Sequence, residues 1–158
     1  MKLDLDVHAL ESLYTTMVKI RRFDERTTEL FVEGLVKGTA HSYVGEEAVA
    51  AAACANLREG DYITGTHRGH GHCIAKGAAV DRMMAELMGR ETGYCRGLGG
   101  SMHIADVDAN ILAATASSRA ACRSAPARRS PRRSAARTAW SSRSSATAEP
   151  TRAWCTRR

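Results

Sequence analysis

The amino-acid sequence predicts a mainly helical α/β segment over residues 1–112 and a disordered tail over residues 113–158. Three observations carry this expectation. Apolar residues recur at helical spacing from about Val7 to Glu33. A short apolar approach, Tyr62–Gly65, reads as a strand delivering a loop rich in glycine and histidine. After Leu112 the composition changes in kind, with no Leu, Ile, Val, Phe, Gly or Lys from Ala113 to Arg158. Such a segment cannot bury enough apolar surface to offset the entropy of ordering.

The first helix is written in Leu10, Leu13, Tyr14, Met17, Val18, Ile20, Phe23, Leu30 and Phe31. Its polar residues, Lys19, Arg21, Arg22, Asp24, Glu25 and Arg26, read as a solvated face of mixed charge. Gly34 and Gly38 end the helix and open a loop. Ala48–Leu57 has high helix propensity and small side chains suited to close packing. Glu46 and Glu47 fall in its first turn, where they complement the helix dipole. His41, just before the Gly45 turn, reads either as a solvated loop residue or as part of a site. Val80–Arg90 is amphipathic and turns Met83, Met84, Leu87 and Met88 towards a core. Gly93–Ile104 contains four glycines, which preclude a stable helix and mark a shaped loop.

Thr64-Gly-Thr-His-Arg-Gly-His-Gly-His72 concentrates one arginine, three histidines and three glycines. Glycine lets the backbone approach a ligand closely, and an arginine fork matches phosphate. A helical pattern resumes at His72–Lys76, so the loop amides are expected near a helix N-terminus, a favourable place for an anion. A polar loop with incidental histidines has the same composition. A metal site built from His67, His70 and His72 is disfavoured, because their spacing on a glycine loop lacks a fixed scaffold.

Charge divides the chain as sharply as hydropathy does. The tail holds eleven arginines and one acid, Glu149, for a balance of +10. Residues 1–112 then carry −4, with twelve Lys/Arg against sixteen Asp/Glu, so the basic character belongs to the tail. Cysteines 54, 73, 95, 122 and 155 form no CxxC pair, as expected for reduced thiols in a cytoplasm. No secretory signal pattern and no membrane-length apolar run is present, and a cytoplasmic protein is expected.

Four motifs in order point to a family: MVKIRRFDE from Met17, HSYVGEEA from His41, DYITGTHRGHGH from Asp61 and AELMGRETGYCRGLGGSMHIAD from Ala85. Together they resemble the α subunit of thiamine-diphosphate-dependent 2-oxo acid dehydrogenases, the E1 components of pyruvate, branched-chain and acetoin dehydrogenase complexes. The likeness runs from about Leu13 to Leu112. It implies an α/β thiamine-diphosphate-binding fold, of which only the mainly helical N-terminal part is present in residues 1–112. By position, it assigns His67, Arg68 and Gly69 to binding of the cofactor's diphosphate, and His41 and His70 to the active-site channel. The implied cofactors are thiamine diphosphate and Mg²⁺. The implied partners are an E1 β subunit in an α₂β₂ assembly, a lipoyl-bearing E2, and a 2-oxo acid or acetoin as substrate. The resemblance also implies a Gly-Asp-Gly motif with a following asparagine for the metal, and no Gly-Asp-Gly occurs in this chain. No metal ligand is therefore assigned.

The tail itself holds a trace of that motif. Joining the last base of each codon to the first two of the next turns Ala into a codon open to Gly and Thr into one open to Asp, Asn or His. Applied to Ala146–Arg158, permitted codons spell GDGGTNQGVVHEA; applied to Ala113–Ala125, they spell GGHGIVAGGLPLG. A single constant shift thus recovers the missing motif and a glycine-rich apolar segment in the family's order. The tail is read as out-of-frame translation after the Leu112 codon, and the chain as a truncated, inactive fragment of an enzyme. The alternative is a non-enzymatic helical module with an arginine-rich arm for nucleic acid, which would bind with strong salt dependence.

Overall fold

The computed structural model describes residues 6–58, 60–112, 139–142 and 152–155. Helix α1 spans Val7–Val32, close to the expected bounds. The Asp6 side chain caps it by accepting the His8 N–H at 3.4 Å. Its buried stripe is Ile20, Phe23, Asp24, Thr27 and Leu30, the i, i+3, i+4, i+7 spacing of one helix face. Asp24 therefore lies inside, contrary to the solvated face expected for it; only 1% of it is exposed. The apolar residues of the first turns point outward instead, with Val7, Leu10, Tyr14 and Val18 exposed. At the C-terminal end Gly34 adopts φ +76° and Leu35 N–H returns to the Leu30 carbonyl at 2.9 Å. That left-handed cap is where glycine is favoured.

Helix α2, Glu47–Ala55, opens one residue earlier than expected and closes two residues earlier. The dipole is not the whole reason for Glu47, which is buried and receives the Arg21 Nε–H at 2.6 Å and the Gly45 N–H at 3.0 Å. Strand β1 is Ile63–Thr64, inside the expected strand. Helix α3, His70–Lys76, starts two residues before the expected point, so His70 and His72 are helical and not loop residues. Helices α1, α2 and α3 pack against one another. Gly71 sits against the ring of Tyr43, and a side chain there would collide with it. Helix α4, Val80–Leu87, buries Met83, Glu86 and Leu87 and packs against a 3₁₀ turn, Gly100–Met102.

Strand β2, Ile111–Leu112, pairs in parallel with β1 in the register Ile63↔Ile111 and Thr64↔Leu112. The Ile63 N–H donates to the Asn110 carbonyl at 2.9 Å. Parallel pairing needs a long crossover, and here the 46 residues between the strands supply α3, α4 and the glycine-rich loop. Ile20, Tyr43, Ala50, Ile63, Met83, Leu87 and Ile111 form the centre of one core. In the tail, β3 (Ala139–Ser142) and β4 (Arg152–Cys155) pair antiparallel, where the composition predicts disorder. The expectation for the rest of the tail, and for an arginine-rich binding arm, lies outside the described residues. Among the described residues no helix is long and apolar enough to cross a membrane.

Candidate functional site

Three segments converge at the site: the loop 41–46 before α2, the loop 65–69 between β1 and α3, and the glycine-rich loop 93–103. The His41 and His67 rings meet edge to face, 4.7 Å between centroids and 72° between planes. Partial burial pushes the His67 imidazole below its ordinary pKa, and the neighbouring His41 and Arg68 add to the effect by repelling a second positive charge. The Arg68 guanidinium is steered from its Nη1 end, which donates to the Ser42 carbonyl at 3.2 Å and lies 3.7 Å from Glu46 Oε1. Its Nε–H is buried and has no hydrogen-bond partner among the described residues. A buried donor without an acceptor is costly unless a ligand supplies one. Gly69 is buried and caps α3 at φ −100°, and an added Cβ would make only an ordinary 3.5 Å contact with the Thr66 carbonyl. Neither its backbone angle nor its packing demands glycine there.

His70 faces the interior and not the loop surface. Its Nδ1 lies 2.8 Å from Asp24 Oδ1 and its Nε2 lies 2.9 Å from Ser101 Oγ. Asp24 Oδ2 also accepts the Tyr43 N–H and the Ser42 hydroxyl, the latter at 3.2 Å. His72, equally buried, pairs through Nε2 with the Tyr43 hydroxyl at 2.9 Å, and desolvation drives its pKa well below the ordinary value. The structure thus brings His41, His67 and Arg68 together at one surface and turns His70 towards α1.

The glycine-rich loop is built on Glu86. This carboxylate is fully buried and accepts four backbone N–H groups: Cys95 at 2.7 Å, Gly97 at 2.9 Å, Gly99 at 2.7 Å and Gly100 at 3.1 Å. Burial alone would raise its pKa, but the four converging amides outweigh burial and hold it below the usual carboxylate value. The Asp24–His70–Ser101 order matches that of a nucleophilic triad. The amides of Gly99 and Gly100 are spent on Glu86, however, and cannot serve as oxyanion donors beside Ser101. The arrangement therefore orders the loops and sets the Arg68 guanidinium beside the His41–His67 pair. Among the described residues no cluster of three His, Cys, Asp or Glu side chains could hold a metal.

The reading of the sequence alone missed Asp24, Ser42, Ser101 and Glu86. Two of these left a signal. Asp24 occupies the core stripe of α1 with Ile20, Phe23 and Thr27. Glu86 stands between Met83 and Leu87 on the core stripe of α4. A charge on an apolar stripe marks either a solvated break or a buried, fully bonded group, and here it is the second in both cases.

The α subunit of acetoin:2,6-dichlorophenolindophenol oxidoreductase from Bacillus subtilis (strain 168) is 57% identical over 102 residues, 65% of this chain and 31% of that protein. The protein of the same name from Cupriavidus necator is 46% identical over 112 residues, 71% of this chain and 34% of its own length. Pyruvate dehydrogenase E1 component subunit alpha of Porphyra purpurea is 39% identical over 111 residues, 70% of this chain and 32% of its own. The chain spans about a third of the length of these curated relatives. A family model described as "Dehydrogenase E1 component" matches residues 15–129, well over half of the chain and on past Leu112. That match, over more than half of the chain, places this chain in the dehydrogenase E1 component family.

Proposed function

We propose that residues 1–112 are the diphosphate-binding part of a thiamine-diphosphate-dependent E1 α subunit acting on a 2-oxo acid or acetoin. The observation that carries this reading is the buried Nε–H of Arg68, without an acceptor among the described residues, beside the His41–His67 pair. A diphosphate oxygen would satisfy that donor, and a guanidinium matches phosphate better than any other side chain. His67 and Arg68 would grip the diphosphate, and the Gly69 backbone would pass close to it. His41 stands on the same surface and would face the reacting end. When bound, thiamine diphosphate supplies the carbanion and the electron sink for decarboxylation. This chain's residues anchor its phosphate end and orient it.

The fit is partial on the metal side. Mg²⁺ would offset the diphosphate charge, and the motif expected to hold it is absent from the 158 residues. These residues therefore bind the anion weakly and do not turn over by themselves. An E1 β subunit and a lipoyl-bearing E2 are the partners this reading requires, in the cytoplasm. Isothermal titration of the full chain with thiamine diphosphate tests it: weak binding that Arg68→Ala abolishes is the expected result. No binding at millimolar ligand would refute the diphosphate site. Turnover of pyruvate or acetoin by this chain with its β subunit would refute the claim of an inactive fragment.

A further inference from the structure

We infer that Asp24, His70 and Ser101 form a positioning relay that sets where Arg68 and His67 point, an assignment that rests on the diphosphate-site reading above. One buried carboxylate holds Arg68 from both of its ends. Asp24 Oδ1 meets His70 Nδ1 at 2.8 Å and so fixes the start of α3, two residues beyond Arg68. Asp24 Oδ2 takes the Tyr43 N–H and the Ser42 hydroxyl and so fixes the loop whose Ser42 carbonyl receives Arg68 Nη1–H. Backbone and guanidinium are thereby referred to the same side chain, and Nε meets no acceptor among the described residues. The same loop carries His41, whose ring rests on His67.

Ser101 closes the relay from the other side. Its hydroxyl meets His70 Nε2 at 2.9 Å, and its loop is fixed independently by Glu86. His70 bonded at both nitrogens has one ring orientation, so α3 cannot rotate without breaking a buried bond. Asp24 and His70 are each 1% exposed and Ser101 is 5% exposed, so water cannot replace a lost partner cheaply. None of the three reaches the anion; they act through Arg68 and His67.

The test uses the full chain and needs two independent readings. The first requires no ligand: NMR of the histidine rings, following the His41–His67 ring contact and the strongly hydrogen-bonded His70 Nδ1–H resonance. The second is titration with inorganic pyrophosphate. Asp24→Asn and Ser101→Ala, with helix content checked by circular dichroism, are expected to weaken the ring contact. They are also expected to lower pyrophosphate affinity roughly 10-fold and 3-fold, as loss of a buried charged or neutral hydrogen bond implies. Ser101→Thr keeps the hydroxyl and is expected to restore both readings, which a loss of packing alone would not allow. If Asp24→Asn does not fold, the Ser101→Ala and Ser101→Thr pair decides. Folded Ser101→Ala with an unchanged ring contact and unchanged affinity overturns the relay. An intact chain that shows the ring contact and its loss in Ser101→Ala, but never binds pyrophosphate, overturns the diphosphate reading and leaves the relay standing.

Discussion

At the scale of single residues, buried ionisable groups dictate how the protein answers to pH. His67 and His72 are held neutral by burial, with pKa values below the ordinary 6.5. A depressed folded pKa means that the unfolded chain binds the proton first, so stability is full above 6.5 and falls as pH drops below it. Glu86 and Glu47 are held below their ordinary 4.5, so their contribution is full above 4.5 and is lost as pH falls further. Urea midpoints measured from pH 8 to pH 3 should therefore fall in two steps, one beginning near 6.5 and one near 4.5. Glu86→Gln should lower the midpoint at pH 7, by about 1–3 kcal/mol of stability, and flatten the second step. A midpoint constant from pH 7 to pH 5 would contradict the histidine assignment. The thiols give a second check. Burial pushes Cys54 up to about 11 and Cys73 up to about 12. Since the thiolate is the reactive form, both should resist a disulfide reagent at pH 8 in the native chain and react at once in urea.

At the scale of elements, the glycine-rich loop shows how backbone shape and one carboxylate act together. Gly97 lies at φ +76°, where a side chain would collide with the Gly89 backbone, and a side chain at Gly93 would collide with Glu86. Gly97→Ala adds a left-handed penalty of about 1–2 kcal/mol to a backbone collision that nothing flexible can relieve. The expected result is a loss of at least about 2 kcal/mol in denaturant unfolding, with the Glu86 amides exposed to hydrogen exchange. Unchanged protection at Cys95, Gly97 and Gly99 would show that the loop does not depend on this cradle. The sequence made the loop visible through its glycines but not its anchor, because the anchor lies on another element.

At the scale of the whole molecule, α1, α2, α3 and the β1–β2 pair share one core. Ile63 and Ile111 are 2% exposed and paired across the parallel strands. Ile111→Ala should cost about 2–5 kcal/mol, enough to unfold a two-stranded core, as read by circular dichroism on heating. A shift of under a degree would place the core elsewhere. Helix bounds were legible in the sequence to within three residues, the widest difference being the end of α4 at Leu87 and not Arg90, since periodicity and glycine caps are local signals. The start of α3 lies two residues before the expected point, because glycines at 69 and 71 suppress the helical signal while Tyr43, far away in sequence, fills the space that Gly71 leaves.

The sequence by itself determined the helices, the first strand, the contrast between residues 1–112 and the basic tail, and the resemblance that the family match bears out. It named His41, His67 and Arg68, and the fold sets these three at one surface. Only the tertiary structure decided that Asp24 and Glu86 are buried and bonded, that His70 points inward, and that Ile111 pairs with Ile63. The physical reason is shared by all four. A charge or a strand edge is stable inside only when a distant partner satisfies it, and which distant partner arrives depends on packing and not on local spacing.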